Sequence, residues 1–178
     1  MKAHIFAEDS NTTAEDRTKP AKEYFQGLFG QVARLTDELS NSADTSLHVL
    51  SEEFGVLRGD QLIADVIGSE EDGSADLWES AKEELVTASR EADVMVILLS
   101  TDTFDRTAGE FWPKLVEEAK PDSVWCLGVA RSTLDAIDFE TLHKKGCSVI
   151  TYQRVGVARI GTDTRIDLLQ AVDQKASE

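Results

Sequence analysis

A short segment behind a predicted buried strand contains the residue types best suited to binding a ligand. Ser51 ends the apolar run at residues 47–50, and Gly55, Arg58 and Gly59 follow closely. A serine at a strand end can donate and accept hydrogen bonds, and an arginine can bind an anionic ligand. Turn chemistry alone explains both glycines, because glycine tolerates positive φ. The segment therefore supports two interpretations: a plain connection between elements, or a ligand site that includes Ser51 and Arg58.

A second candidate is the carboxylate at the predicted start of a later helix. Glu110 lies three residues after Thr107, behind the apolar run at residues 94–99. With Asp102 or Asp105 as a partner acid, a carboxylate there could attack a sugar's anomeric carbon. This pattern resembles N-glycoside-cleaving α/β enzymes such as the nucleoside deoxyribosyltransferases. The same residues also form a capping box, in which the Thr107 hydroxyl accepts from the Glu110 N–H. Capping is the simpler interpretation, and catalysis by Glu110 is the alternative.

The histidines and cysteines indicate packing more than catalysis. His4 and His48 lie on candidate strands that could be neighbours, so a buried His pair is one interpretation. A buried imidazole satisfied by one hydrogen bond is the commoner situation, and we predict it for both. Cys126 and Cys147 lie in apolar runs and are interpreted as small buried side chains. The sequence has no Cys-x-x-Cys pair and no Cys/His cluster, so we expect no metal site and no cofactor.

Strand and helix patterns alternate along the chain and must position these residues. Predicted strands lie at residues 4–7, 47–50, 94–99, 124–127 and 147–152, and predicted helices at 21–39, 77–88, 107–119, 132–145 and 166–172. We predict one three-layer α/β domain over residues 1–178, with a mostly parallel central sheet of about five strands flanked by helices. An extra strand at 62–67, a C-terminal hairpin at 155–160 and a mobile loop at 68–74 are further expectations.

The predicted sheet also limits where a ligand would bind. In open parallel sheets, ligands bind beyond the carboxyl ends of the strands. That rule selects residues 8–13, 51–60, 100–107 and 128–132. We predict that Ser51, Gly55, Arg58 and Ser100 line a site at this edge. The rule predicts a location and not a reaction.

The net charge of the chain indicates in which habitat the protein works and which partners it can bind. Asp and Glu number 34 against 18 Lys and Arg, which gives a formal net charge of −16 spread along the sequence. Molar salt shortens the Debye length to about 3 Å and screens the resulting self-repulsion. We therefore predict a halophilic, archaeal source, with an acidic mesophile protein or a nucleic-acid mimic as alternatives. Ordinary nucleic-acid binding is disfavoured, because phosphate contacts need clustered Lys and Arg.

Two further patterns concern location. The N-terminus lacks the apolar stretch of a signal peptide, and no run of about 18 apolar residues could span a membrane. We expect a cytoplasmic protein that has no membrane partner.

A family resemblance adds to this interpretation. The segment LHVLS at residues 47–51, followed by FGVLR at 54–58, resembles the LS-x-x-YGVLR signature of the YaaA-like family. Residues 19–25 and 94–104 are similar to two further segments of its shorter archaeal and phage members. The bacterial members are associated with peroxide stress and DNA binding. The resemblance implies an α/β fold and a pocket near Ser51 and Arg58.

The chain departs from that family at two points. Where the family carries Ser or Cys with Lys after its first strand, residues 7–10 read Ala-Glu-Asp-Ser. No counterpart of the basic DNA-binding helix of the longer members is found. We therefore predict recognition of a nucleotide, a nucleobase or a nucleic-acid end in high salt. An N-glycoside-cleaving enzyme that uses Glu110 is the alternative, and a non-enzymatic interaction module, which could be a homo-oligomer, is the third.

Overall fold

The computed structural model describes residues 1–67, 77–154 and 159–177. The strands are β1 (Lys2–Glu8), β2 (Asp44–Ser51), β3 (Gly55–Arg58), β4 (Val94–Leu98), β5 (Val124–Val129) and β6 (Ser148–Gln153). The helices are α1 (Ala21–Tyr24), α2 (Gly30–Leu39), α3 (Ile63–Ile67), α4 (Leu77–Glu91), α5 (Thr101–Arg106), α6 (Trp112–Glu117), α7 (Arg131–Ala136), α8 (Glu140–Lys144) and α9 (Thr162–Ala176). A 3₁₀ turn at Gly27–Phe29 precedes α2.

The strands form one sheet in the order β3-β2-β1-β4-β5-β6. All neighbouring strands are parallel except β3, which runs antiparallel to β2. From β1 the chain first adds β2 on one side and then crosses to add β4 on the other. The direction of winding therefore reverses between β1 and β4, which is the topological switch point where ligands bind in such sheets.

Side chains of successive strand residues face two different helical layers. Ile5 of β1 packs with residues of α1, α2 and α9, whereas Phe6 packs with residues of α4 to α8. Every residue of β4 and β5 is buried, as expected for strands covered on both faces. The predicted three-layer, mostly parallel α/β architecture is confirmed, with six strands instead of about five.

Two short segments differ from the prediction. Residues 55–58 are predicted as a turn but form the edge strand β3, because Gly55, at φ 85°, reverses the chain and lets it pair back on β2. Residues 62–67 are predicted as a strand but form α3 at Ile63–Ile67. The predicted mobile loop at 68–74, and residues 155–158 of the predicted hairpin, lie outside the described residues.

Three predicted helices are interrupted. The helix predicted over 21–39 is divided into α1 and α2, because Phe25 and Gln26 have extended backbone. The helix predicted over 107–119 begins only at Trp112, because Thr107 ends α5 and its hydroxyl donates to the Thr103 carbonyl at 2.7 Å. The helix predicted over 132–145 is divided into α7 and α8. The Asp138 carboxylate accepts from the Glu140 N–H at 2.8 Å and opens α8. Gly146, at φ 78°, follows the end of α8 in the left-handed conformation that glycine tolerates.

Candidate functional site

A cleft of about 510 Å³ opens at the switch point between β1 and β4. Its wall contains the carboxylates Glu8, Asp9, Glu52, Glu53 and Asp102. They come from the ends of β1 and β2 and from the first turn of α5. Parallel strands end at one edge of the sheet, so residues distant in sequence meet there. The cleft is therefore strongly acidic.

Glu8 joins the ends of β1 and β4. Its Oε1 accepts a hydrogen bond from the backbone N–H of Ser100. Ser100 precedes α5 in extended backbone, and its hydroxyl lies 3.3 Å from the Thr103 hydroxyl. A charge-assisted bond of this kind fixes the carboxylate at the mouth of the cleft.

Asp9 lies deeper, beside the end of β2. Its backbone N–H donates to the Leu50 carbonyl at 3.1 Å, which continues the sheet by one residue. Burial raises the pKa of Asp9 above its usual value, and a side-chain hydrogen bond with Ser51 opposes that shift. Ser51 is fully buried, and its hydroxyl also accepts from the Phe54 N–H at 3.2 Å. Ser51 thus positions Asp9 and the hairpin turn and does not face the cleft directly.

Arg159 is the basic residue among the described residues that line the cleft. Its Nη2 donates to the Asp9 carbonyl at 3.0 Å, and its backbone N–H donates to Gln31 at 2.8 Å. Nε and Nη1 are buried and have no hydrogen-bond partner within the described part of the chain. Burial lowers the pKa of Arg159, but a guanidinium keeps its charge. Two buried donors of Arg159 thus lie beside the cleft without a partner among the described residues.

A glycine allows Arg159 to approach this edge. A Cβ on Gly128, near the end of β5, would lie 3.0 Å from the Arg159 carbonyl and 2.8 Å from the Leu98 side chain. The distance to Leu98 is too short for a real Cβ, and the distance to the Arg159 carbonyl is tighter than nearly all real Cβ contacts. Gly128 therefore lets the segment before α9 pass close over the sheet end.

An aromatic side chain completes the cleft. Trp78, in the first turn of α4, is half-buried and lines the same cavity. The Arg106 guanidinium lies 5.0 Å from the centre of its ring, within the range of a cation–π contact. The indole is thereby held in position and could stack on a flat ligand.

The structure brings together three of the five predicted site residues. Ser51 and Gly55 are paired at the β2–β3 turn, and Ser100 lies across β1 at the same edge. Arg58 does not reach this edge, because β3 runs antiparallel and carries it back to a position opposite His48. There its guanidinium bonds His48 and the Glu84 carboxylate of α4, both at 3.0 Å.

Glu110 is not among the side chains that line the cleft. It lies between α5 and α6, with 58% of its side chain exposed, and pairs with Lys82 of α4 at 2.6 Å. The capping box predicted with Thr107 does not form, because Thr107 is buried at the end of α5. The sugar-directed role predicted for Glu110 thus has no support from its position.

Sequence reasoning missed Arg159 and Trp78 and undervalued Glu8 and Asp9. The strand-end rule did select residues 8–13. With 34 acidic residues in the chain, however, two carboxylates carried little weight. Trp78 lies in the predicted helix at 77–88, where an aromatic residue indicates packing in the core. Arg159 had no local signal, since its place depends on the path of the chain over Gly128.

The described ranges contain neither a cluster of metal ligands nor a membrane-spanning helix. No group of three or more His, Cys, Asp or Glu side chains there could hold a metal ion. None of the helices in those ranges is long and apolar enough to cross a bilayer. Cys126 and Cys147 are both buried and unbridged, and burial raises the pKa of the Cys126 thiol to about 12.

Comparisons with known proteins add little to this geometry. No protein-family model matches the sequence, and no curated protein is significantly similar. A flavodoxin from Streptococcus pneumoniae TIGR4 is similar in structure, with a TM-score of 0.44 and 11% identity over 99% of both chains. A diflavin flavoprotein A3 from Nostoc sp. has a TM-score of 0.42 and 8% identity, over 99% of this chain and 93% of that one. Such distant likeness says nothing about a ligand. The YaaA-like resemblance and the halophilic source stay predictions.

Proposed function

We propose that the protein recognises a nucleoside or a nucleobase in the acidic cleft at the carboxyl edge of its sheet. The observation that supports this best is the combination of a carboxylate wall with the Trp78 ring in one cavity. Carboxylates accept hydrogen bonds from the amino groups of bases and the hydroxyls of a sugar. An indole offers a stacking surface for a flat base.

The charge of the cleft favours a ligand without phosphate. Among the described residues, five carboxylates line it against one guanidinium, that of Arg159. Phosphate groups would be repelled there, and molar salt would weaken that repulsion without turning it into attraction. We therefore favour a nucleoside or a free base over the nucleotide or nucleic-acid end that the sequence suggests.

Calorimetric titration of the protein with the common nucleosides and bases, in dilute buffer and in molar KCl, tests this proposal. Each nucleoside is compared with its 5′-monophosphate and with a short single-stranded DNA. We expect at least one nucleoside or base to bind, and its monophosphate to bind at least tenfold more weakly in dilute buffer. If the monophosphate or the DNA binds more tightly, the preference for uncharged ligands is wrong.

Two matched substitutions locate the binding. Glu8→Gln removes a charge inside the cleft, and Glu110→Gln makes the same change outside it. We expect at least a tenfold loss of affinity in Glu8→Gln, because a charged hydrogen bond contributes about 1.5–3 kcal/mol. Glu110→Gln should bind as the unaltered protein does. Equal behaviour of the two variants, or no binding of any nucleoside or base, would contradict the proposal and favour an interaction module.

A second candidate function is cleavage of an N-glycoside bond, which the raised pKa of Asp9 favours. A protonated Asp9 could give its proton to the leaving base while Glu8 accepts a proton from the attacking water. The carbon–nitrogen bond breaks and a carbon–oxygen bond forms at the anomeric carbon. In this second candidate function, Glu8 and Asp9 take the catalytic role that the sequence analysis considered for Glu110.

The assay for this second candidate is release of free base from a nucleoside, followed by chromatography. We expect Asp9→Asn to abolish release and Glu110→Gln to leave it unchanged. Binding without release would reject the enzyme and keep the recognition function. Activity that survives in Asp9→Asn but is lost in Glu110→Gln would instead support Glu110 as the catalytic residue.

A further inference from the structure

The strand β6 lies at the edge of the sheet, far along the strand order from the acidic cleft. It pairs with β5 on one side, and none of the described strands pairs with its other side. Ser148, Thr151 and Gln153 are exposed, and the other residues of the strand are half-buried. In β4 and β5, by contrast, every residue is buried. The outer side of β6 is therefore an open sheet edge.

The hydrogen bonds to β5 show which residues of β6 point outward. The Ser148 N–H donates to the Ser123 carbonyl at 3.0 Å. At the other end of the strand, the Arg154 N–H donates to the Val129 carbonyl at 2.8 Å. Backbone groups alternate in direction along a strand, so every second residue between these two also faces β5. The residues that direct their N–H and C=O groups away from β5 are Val149, Thr151 and Gln153.

This outer edge lacks the usual protections against pairing. Within the described ranges, no hydrogen bond outside the β5 ladder involves the backbone groups of its three outward residues. Native edge strands are commonly protected by charged side chains, proline, a bulge or a short length. The six residues of β6 read S-V-I-T-Y-Q and include no charge and no proline, although 29% of the chain is charged. The register with β5 is continuous, without a bulge.

The opposite edge strand, β3, is protected. It has only four residues, and Arg58 at its end is paired with the Glu84 carboxylate at 3.0 Å. The segment after it is tied to α1, because the Lys22 N–H donates to the Gly59 carbonyl at 2.9 Å. The open edge is thus a property of β6 in particular.

The sequence of β6 is complementary to itself when two copies run antiparallel. With Thr151 facing Thr151 of a second copy, Val149 faces Gln153 twice, and each facing pair exchanges two backbone hydrogen bonds. Ile150 then faces Tyr152 twice, on the side of the sheet that α9 covers. Thr–Thr pairs and aromatic pairs with β-branched residues stabilise antiparallel strands. We propose that two copies of this chain dimerise through β6 and join their sheets about a twofold axis at Thr151.

The net charge sets the conditions under which this dimer forms. Each copy has a formal charge of −16, so two copies repel each other in dilute buffer. Since β6 itself is uncharged, the repulsion comes from the rest of the surface, and molar salt screens it with a Debye length of about 3 Å. The pairing uses the same strand on both sides, so it closes after two copies and adds no third.

Analytical ultracentrifugation at micromolar protein concentrations, in dilute buffer and in molar KCl, tests the proposal. We expect a monomer in dilute buffer and a monomer–dimer equilibrium in molar KCl, with no larger species. A monomer at every concentration in molar KCl, or a dimer that salt dissociates, would overturn it.

A proline at the centre of the strand distinguishes pairing from folding. The Thr151 N–H points away from β5, so Thr151→Pro removes an outward donor and keeps the ladder with β5. The dissociation constant of the dimer should rise at least tenfold, because both hydrogen bonds of the central pair are lost. Thr151→Val keeps the backbone donor and the β-branched shape, and it should dimerise as the unaltered protein does. A dimer that is unaffected by Thr151→Pro would contradict pairing through β6.

Disulfide trapping measures the register without proline. In Thr151→Cys the two facing Cα atoms would lie about 5.5 Å apart, within the span of a disulfide. Ser148→Cys is the control on the same strand, because its facing residue is Arg154 and the two thiols would lie about 20 Å apart. Under mild oxidation in molar KCl, Thr151→Cys should form a covalent dimer at least tenfold faster than Ser148→Cys. The native Cys126 and Cys147 are buried and present in both variants. Equal rates, or faster trapping of Ser148→Cys, would overturn the antiparallel pairing.

Discussion

The acidic cleft and the polar line that runs from Arg58 through His48 and His4 to Glu91 both combine arginine with carboxylates, yet their hydrogen bonding differs. In the cleft, Arg159 has two buried donors without a partner in the described residues, and Asp9 is held with a raised pKa. In the line, each imidazole nitrogen has a polar partner within 3.0 Å, and the Arg58 guanidinium contacts both His48 and Glu84. The exception is Glu84 Oε2, which is buried without a partner among the described residues. Unsatisfied polar groups cost stability and are typical of binding sites, whereas satisfied networks specify structure.

This difference gives opposite expectations for substitutions. Removing a partner from the satisfied line should destabilise the fold, because a buried group is left without its hydrogen bond. Neutralising a buried carboxylate in the cleft should stabilise the fold and impair ligand binding. Stability measurements on the two regions can therefore test whether the cleft is a binding site and whether the line stabilises the fold.

The largest loss of stability should come from substitution of Phe6, whose ring packs against His48 in the line. Phe6 is fully buried and stacks on His48 with ring centres 4.2 Å apart and nearly parallel planes. Phe6→Ala should lower the free energy of unfolding by about 3–5 kcal/mol, through lost burial and the cavity it leaves. Urea denaturation measures this, and Phe6→Leu is the control, which should lose less. A loss under about 1 kcal/mol for Phe6→Ala would show that the support is not needed.

The next effect concerns the bond between the two histidines. His48→Leu at pH 8 should cost about 1–3 kcal/mol, because His4 Nδ1 is left buried without its hydrogen-bond partner. The double variant His4→Leu/His48→Leu should cost less than the sum of the two single variants, by at least about 0.5 kcal/mol. Denaturant unfolding of all four proteins gives the coupling energy. Strict additivity would mean that the pair does not interact.

The pH dependence of stability follows from the same pair. Burial holds the pKa of both histidines below the ordinary value of 6.5 in the folded protein. The unfolded chain therefore binds more protons below that value, so stability present above about pH 6.5 should fall as pH decreases through the folded pKa values. Thermal unfolding between pH 8 and 5 measures the slope. The double leucine variant should have a smaller slope, and an equal slope would assign the effect to other groups.

Substitution of Asp9 in the cleft should stabilise the fold. Burial raises the pKa of Asp9, so its charged form opposes folding once the pH exceeds the folded pKa. Asp9→Asn should therefore raise the free energy of unfolding at pH 7, by about 1 kcal/mol or less. The gain should disappear in acid, where Asp9 is protonated. As a control, Asp16→Asn should not stabilise, because hydrogen bonds from Thr18 lower the pKa of that carboxyl.

The smallest effect is expected at Glu110. Its carboxylate forms an ion pair with Lys82 on the surface. Such exposed pairs contribute little to stability, because water and salt screen them. Glu110→Gln should leave both the unfolding midpoint and ligand binding unchanged. A clear loss of either would show that Glu110 has a role that its position does not explain.

The fold was predictable because its signals are local. The uniformly apolar run at residues 94–99 needs a strand covered on both faces, and the structure has β4 there with every residue buried. The hairpin that contains β3 was missed, because Gly55 supports a turn equally well whether or not the chain pairs afterwards. The pairing of β3 with β2 decides where Arg58 lies.

Part of the candidate site was predictable for a similar reason. The strand-end rule selected Ser51, Ser100 and the segment that contains Glu8 and Asp9, because parallel strands must end at one edge. It could not assign Arg159, which belongs to a segment after the last strand. It also could not decide between a pair and single hydrogen bonds for His4 and His48, since that depends on the register between β1 and β2.

By itself, the sequence determined the α/β class, the alternation of strands and helices, and the acidic charge of the edge where the strands end. These follow from the period of apolar residues and from composition, which are properties of the chain alone. Only the tertiary structure decided which arginine faces the cleft. Arg58 and Arg159 look alike in sequence, but an antiparallel turn removes one from the edge, and a close passage over Gly128 brings the other to it.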